Sequence, residues 1–104
     1  MIEYVVSLSL SLMTGPACPS GCPVLTGRDT PTGSYTARQM DYMGIGFKED
    51  GKGGVFAIHP VWTDERQRKL SGEKRNFVTA GCINVDYNTF IKLPKRSFRL
   101  RIER

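Results

Sequence analysis

The sequence predicts a single, mainly β domain with one or two short helices. Three observations carry this prediction: apolar and polar residues alternate near both ends of the chain, a glycine-rich turn separates two strand-like segments, and helix signals are confined to two brief stretches. A chain of 104 residues, 39% hydrophobic and 24% charged, has the size and composition of one ordered globular domain. We therefore treat residues 1–104 as one domain without internal repeats.

Both ends of the chain show a period of two. Residues 6–12 alternate apolar residues with serine, and residues 97–104 alternate apolar residues with mostly charged ones, so each segment predicts a strand with one buried face. The apolar start is not interpreted as a signal peptide, because Glu3 stands where a basic residue is usual. At about ten residues it is also too short to span a bilayer. The sequence thus predicts no membrane span and shows no export route.

The middle of the chain mixes turn formers with strand formers. Residues 14–33 are dense in Gly, Pro, Ser and Thr and are predicted to be mostly surface turns. Residues 34–40 and 42–49 are predicted to be short strands. The stretch "DGKGG" at 50–54 suits a hairpin turn, because glycine adopts positive φ without strain, and a strand at 55–60 follows it.

Two segments carry helix signals. Thr63 is a predicted N-cap, acidic residues occupy the first turn and Gly72 is a stop, which predicts one charged helix near residues 63–71. A second, brief helical turn is predicted to start at Asp86, and it must end before Pro94.

The charge of the chain favours anionic partners. It carries 15 Lys and Arg against 10 Asp and Glu, a formal net charge of +5. Residues 92–104 are rich in basic residues, but their strict alternation favours a solvated strand face, with an anionic cell-wall polymer as an alternative docking partner. The sequence contains no Gly-rich phosphate loop and no recognition helix, so nucleic acid is not a predicted partner.

Cys82 and His59 are the first candidates for chemistry. A thiolate attacks carbonyl carbons well, and a nearby imidazole can deprotonate the thiol and later protonate a leaving amine. His59 stands at the end of a predicted strand, before Pro60, and Cys82 follows the small residues Ala80 and Gly81, which are expected to leave main-chain N–H groups free for an oxyanion. From the residues alone, a buried structural Cys82 remains the alternative.

Three ordered motifs strengthen the catalytic interpretation. They are "TAGCINVD" at 79–86, "AIHP" at 57–60 and "TGRDTPTGSYT" at 26–36. Together they resemble the catalytic domain of the L,D-transpeptidases, the YkuD-type family that acts on peptidoglycan. The resemblance covers roughly residues 24–104, and the separation of 23 positions between the histidine and the cysteine agrees with it.

The resemblance implies a β-sandwich fold and a set of roles. Cys82 would be the nucleophile, His59 its base, and Thr79 and Gly81 parts of the loop that shapes the site. The implied reaction is attack on the L-to-D bond before the terminal D-residue of a stem tetrapeptide, forming a thioester that an amine or water then resolves. The residues expected to contact substrate are Thr79, Ala80, Gly81, Asn84 and Trp62.

The chain departs from the family pattern in three ways. Ala80 stands where many members have a second histidine, and Asn84 stands where many have arginine. One opening strand or hairpin of the family is also missing from the pattern, so we expect a minimal or truncated member. Trp62, three residues beyond His59, lies either at the mouth of the site or partly in the core.

Cys18 and Cys22 form a separate motif, "CPSGC". In an oxidising compartment they are expected to form a disulfide, and otherwise to be two free thiols. With Cys82 and His59 they also total four ligands, the number in a structural zinc site, which is the rarer alternative.

The sequence therefore predicts an L,D-transpeptidase-like cysteine enzyme that acts on peptidoglycan stem peptides in the cell envelope or periplasm, with no metal or organic cofactor. A secreted antibacterial effector or a phage-encoded enzyme would suit its small size. The rivals are a non-catalytic basic β domain that binds cell wall or nucleic acid, with Cys82 structural, and a small zinc-stabilised module. Transpeptidation, carboxypeptidase cleavage and exchange of a D-residue are not separated at this level, and neither the delivery route nor the oligomeric state is predicted.

Overall fold

The computed structural model of the protein describes residues 11–41, 44–72 and 74–104. Within these residues, seven strands form one sheet in the order β2-β1-β7-β3-β4-β5-β6, and two short helices accompany it. The elements are β1 (Leu12–Gly15), β2 (Cys18–Pro23), β3 (Gly33–Asp41), β4 (Gly44–Glu49), β5 (Val55–Pro60), α1 (Asp64–Lys69), β6 (Ile83–Val85), α2 (Tyr87–Lys92) and β7 (Phe98–Glu103). The predicted mainly β, sandwich-like fold with short helices is confirmed.

Antiparallel pairing joins the strands from β2 to β5, whereas β5 and β6 run parallel. On the other side of β6 lies the segment that follows β2. Its residue Leu25 forms an antiparallel bridge with Asn84, with the Leu25 N–H donating to the Asn84 carbonyl at 2.8 Å and the reverse bond at 2.9 Å. The short β6 is therefore held on both sides.

The core explains why the alternating segments became strands. Phe98, Leu100 and Ile102 of β7 are buried and the residues between them are exposed, as the period of two predicts. The other buried apolar residues of the same cluster are Met13, Cys18, Val24, Ala37, Ile45, Phe47, Ile58, Ile83, Val85, Phe90 and Leu93. One contiguous core thus joins the sheet to α2.

The hairpin predicted at 50–54 connects β4 to β5. The Asp50 carboxylate accepts hydrogen bonds from the backbone N–H of Lys52 at 2.7 Å and of Gly54 at 3.0 Å. Gly51 and Gly53 adopt φ of 80° and 87°, the left-handed region that glycine enters without strain. The turn chemistry in the sequence is confirmed.

Both predicted helices are present, α1 has its predicted cap Thr63, and Asp86, the predicted start of the second helix, is the N-cap of α2. The Thr63 hydroxyl accepts from the Arg66 N–H at 3.1 Å, and the Asp86 carboxylate accepts from the Asn88 N–H at 3.0 Å. The helix α1 buries none of its own residues, so it is held by its cap and by the chain around it.

The turn prediction for residues 14–33 is partly wrong, because β2 occupies Cys18–Pro23 within it. The strand lies at the end of the sheet and pairs with β1. An edge position tolerates proline, since one side of the strand needs no ladder hydrogen bond, and both Pro19 and Pro23 are exposed. Turn-forming composition therefore did not exclude a strand here.

Cys18 and Cys22 are joined by a disulfide, as expected for an oxidising compartment. Their sulfurs are bonded to each other and cannot serve as thiolate ligands, so the four-ligand zinc site with Cys82 and His59 is wrong. The first predicted strand, at residues 6–12, lies mostly outside the described residues, and so do positions 42–43 of the strand predicted at 42–49. In the described part of the chain, no helix has the length and apolarity to cross a membrane.

The Asp50 turn generates a pH-dependent prediction. Backbone donors of Lys52 and Gly54 hold the pKa of Asp50 below its ordinary value of 3.8, so its stabilisation is fully present above that value and is lost as the pH falls through the lower folded-state pKa. We expect Asp50→Asn to be less stable than the wild type at neutral pH, because a neutral acceptor forms weaker bonds. Denaturant unfolding of both proteins at neutral and acidic pH measures this difference. It should disappear at a pH below the folded-state pKa, and a difference that is constant with pH would contradict the assignment.

Candidate active site

A cavity of about 340 Å³ opens at the surface beside β5 and β6. Its lining residues are Asp50, Val55, Phe56, His59, Trp62, Arg66, Thr79, Ala80, Cys82 and Asn84. With the exception of Gly81, every residue that the sequence predicted for the site lies in this lining.

The parallel pairing of β5 and β6 brings His59 and Cys82 to one cavity. Ile58 pairs with Ile83, and both side chains lie in the core. His59 and Cys82 are each one residue away from these isoleucines, so their side chains are directed away from the core. His59 pairs with Asn84, two residues beyond Cys82, so the histidine and the cysteine lie diagonally across the two segments. The half-buried Cys82 is the free cysteine of the chain.

The His59 ring has an aromatic neighbour and an acidic one. The Trp62 ring lies with its centroid 5.4 Å from that of the imidazole, and the Trp62 side chain is 59% exposed, so it stands at the mouth of the cavity and not in the core. A Cβ built on Gly44 would lie 3.5 Å from His59 Nδ1 and 3.6 Å from Asp41 Oδ1. A carboxylate thus borders the same point as the imidazole. No motif in the sequence pointed to Asp41.

Thr79 shapes the turn that carries the cysteine. Its hydroxyl donates to the Cys82 carbonyl at 2.5 Å and accepts from the Gly81 N–H at 3.1 Å. Among the main-chain N–H groups that were expected to be free for an oxyanion, that of Gly81 is engaged by the threonine hydroxyl. Ala80, between them, is exposed.

Position 81 requires glycine for two reasons, its backbone conformation and the neighbouring Phe56 ring. It adopts φ of 139°, and a Cβ there would lie 2.6 Å from the Phe56 ring. The residue is buried, so it supports the loop from behind and does not line the cavity.

The segment "TGRDT" at 26–30 anchors this loop. The Thr30 hydroxyl donates to the Gly81 carbonyl at 2.7 Å and accepts from the Gly27 N–H at 2.8 Å, and both bonds are buried. The Thr26 carbonyl accepts from the Thr79 N–H at 3.1 Å. A Cβ on Gly27 would lie only 2.1 Å from the Thr79 carbonyl oxygen, so only glycine permits this approach.

A buried arginine holds the chain between α1 and the cysteine loop. The Arg75 side chain donates to the backbone carbonyls of Gly72 at 2.8 Å and Ser11 at 3.3 Å, and the Arg75 carbonyl accepts from the Thr26 N–H at 2.7 Å. Sequence reasoning missed this residue, because a lone arginine in a polar stretch usually indicates a solvated surface.

Two charged residues of the cavity were also missed. Arg66, from α1, donates through Nη1 to the Asn84 Oδ1 at 2.6 Å, and Asp50 faces the cavity from the hairpin turn. Asn84, predicted to contact substrate, lies in the lining but is only 3% exposed, with its side-chain oxygen engaged by the guanidinium. The sequence offered no signal for Arg66, since the short helix carries three basic residues of similar appearance.

Among the described residues, no group of three or more His, Cys, Asp and Glu side chains could hold a metal ion. No protein-family model, no curated protein and no solved structure matches the chain. The evidence for function is therefore the order of the motifs and the geometry of this cavity.

The Thr30 anchor generates a prediction about stability. Thr30→Val removes the hydroxyl and leaves the Gly81 carbonyl and the Gly27 N–H buried without it, which we expect to cost about 1–3 kcal/mol of unfolding free energy. Thr32→Val is the matched control, because its side chain is exposed in the same turn and only its carbonyl accepts a hydrogen bond, from Tyr35. Denaturant unfolding compares the two. The control should change stability by about 0.5 kcal/mol or less, and equal losses would argue against the anchor.

Proposed function

We propose that the protein is a cysteine acyltransferase of the L,D-transpeptidase type that acts on peptidoglycan stem peptides. The observation that carries this proposal is the cavity shared by His59, on β5, and Cys82, which directly precedes the parallel strand β6, although the two lie 23 positions apart in the chain. The ordered motifs around both residues support the same reaction class.

In the first half-reaction, His59 takes the proton from the Cys82 Sγ, and the thiolate attacks the carbonyl carbon of the L-to-D bond. The C–N bond then breaks, the imidazolium returns its proton to the leaving amine, and the acyl group stays on sulfur as a thioester. Asp41, which borders the imidazole at Gly44, is well placed to favour the protonated ring during this step.

In the second half-reaction an acceptor attacks the thioester carbonyl and gives its proton to His59. An amine acceptor gives a cross-link or an exchanged D-residue, and water gives a shortened stem. The S–C bond breaks, and the proton on His59 returns to the Cys82 thiolate. The exposed Trp62 and Ala80 leave the cavity open on one side, which suits a substrate that is part of a large polymer.

The disulfide Cys18–Cys22 supports a site of action in an oxidising compartment such as the bacterial envelope or periplasm. We extend the proposal to that location. A secreted antibacterial effector and a phage-encoded enzyme both fit it.

A basic surface on β7 supports an alternative function. Arg99 and Arg101 are exposed on β7, and Arg99 donates to the Thr36 hydroxyl at 2.9 Å on the neighbouring strand. Such a face suits a domain that binds an anionic cell-wall polymer without catalysis. In that case Cys82 would be dispensable for binding.

The test of the proposal is mass spectrometry of purified muropeptides rich in tetrapeptide stems, incubated with the wild type and with Cys82→Ala. We expect tripeptide stems, new cross-links or an exchanged terminal D-residue with the wild type and none with the variant. His59→Ala should lower the rate by about 10²–10⁴-fold, the usual contribution of a general base. Intact substrate after incubation with folded wild type, or product from Cys82→Ala, would contradict the proposal and favour the binding domain.

Thiol reactivity provides a second prediction, which needs no peptidoglycan. With Cys18 and Cys22 in a disulfide, iodoacetamide reports on Cys82 alone. We expect His59→Ala to slow this alkylation by about tenfold at neutral pH, because the base that assists thiolate formation is gone. An unchanged alkylation rate in His59→Ala would show that His59 does not activate the Cys82 thiol.

A further inference from the structure

The helix α1 places a cationic side chain, that of Arg66, in the lining of the cavity that contains Cys82. Arg66 belongs to this helix, and the Thr63 cap accepts a hydrogen bond from the Arg66 backbone N–H. The half-buried side chain of Arg66 is directed toward β6. The lining of the cavity therefore contains a guanidinium as well as the thiol of Cys82 and the imidazole of His59.

The guanidinium is held in place by a rigid partner. The Asn84 Oδ1 accepts from Arg66 Nη1 at 2.6 Å. Asn84 itself is 3% exposed, pairs with His59 across the parallel ladder and exchanges two backbone hydrogen bonds with Leu25. An arginine fixed at one nitrogen keeps its planar fork of donors in a defined direction, which lowers the entropic cost of binding a ligand.

The positive charge of this arginine is not neutralised within the described residues. Their ion pairs join Arg28 to Asp29, Lys69 to Glu65 and Arg101 to Glu103. Asn84 contributes a neutral oxygen. The acidic residue that shares the cavity, Asp50, is engaged by backbone N–H groups of its own turn. The guanidinium is thus available to an anion that enters the cavity.

The position of Arg66 determines how far its guanidinium lies from the Cys82 thiol. Cys82 directly precedes β6 and Asn84 lies within it, so their Cα atoms lie at most about 6.5 Å apart. The guanidinium that contacts Asn84 therefore lies about two residue lengths along this segment from Cys82. A planar carboxylate matches the fork of an arginine in two parallel hydrogen bonds.

We propose that Arg66 is a specificity residue that binds a free carboxylate within about two residues of the carbonyl attacked by Cys82. The inference rests on the proposed function for its substrate, since a stem peptide carries carboxylates near the scissile bond. The carboxylate site itself requires only that Cys82 reacts with a small reagent.

A pair of isosteric reagents tests the site directly. Iodoacetate and iodoacetamide alkylate a thiolate by the same displacement, in which the S–C bond forms and iodide leaves, and they differ only in carboxylate against carboxamide. The ratio of their rates with Cys82 cancels any change in the thiol itself. We expect Arg66→Gln to lower the iodoacetate-to-iodoacetamide ratio about five- to twentyfold.

The matched control is Arg68→Gln, which removes the same charge from an exposed position of the same helix. It should lower the ratio by less than about twofold, because a distant surface charge is screened by salt. Arg66→Lys should retain part of the effect, since it keeps the charge but loses the fork. Circular dichroism establishes that each variant is folded. An equal fall in Arg66→Gln and Arg68→Gln, or no fall in either, would overturn the proposal.

Muropeptides separate this inference from the proposed function. The wild type should prefer stems with free carboxylates over stems in which the carboxylates beside the scissile bond are amidated, and Arg66→Gln should lose this preference. If the wild type is active, and Arg66→Gln changes neither the preference nor the alkylation ratio, the carboxylate site is refuted and the enzyme remains. If Arg66→Gln lowers the alkylation ratio as expected but the wild type leaves every muropeptide intact, the enzyme is refuted and the carboxylate site remains.

Discussion

The cysteine loop depends on buried hydrogen bonds to the segment that follows β2. Leu25 pairs with Asn84 in both directions, the Thr26 carbonyl accepts from Thr79, and Thr30 donates to the Gly81 carbonyl. A backbone that runs along the core must form hydrogen bonds with its N–H and C=O groups, and here two irregular segments form these bonds with each other. Because these bonds are shielded from water, each is costly to leave unmade. The loop is therefore held from its buried side while Cys82 faces the cavity.

The parallel pair β5 and β6 makes the second contribution. Parallel strands need a crossover connection, and in this chain that connection contains α1. The same feature that brings His59 beside the strand of Cys82 also brings Arg66 to Asn84. The side chains of Cys82, His59 and Arg66 thus line one cavity through a single structural unit. The core lies behind the strands, so these polar groups face the cavity and not the apolar interior.

Much of the fold followed from local patterns. The alternation in β7, the cap at Thr63 and the Asp-Gly and Gly-Gly steps of the hairpin each depend on residues within a few positions, and each was found where expected. The strand β2 was missed because edge pairing and a disulfide outweighed its turn-forming residues. The motifs named His59 and Cys82 as candidates, and the structure brings both to one cavity. Arg66 was missed because its partner is 18 positions away.

The sequence by itself determined the types of element, their caps and turns, and the residues that could supply a nucleophile and a base. Such properties depend on periodicity and on neighbours along the chain. Only the tertiary structure decided that the Gly81 N–H donates to the Thr79 hydroxyl, that Thr30 reaches the Gly81 carbonyl across 51 positions, and that a guanidinium lines the same cavity as the thiol. These contacts depend on strand order and register, which the packing of the whole core selects and no short stretch encodes.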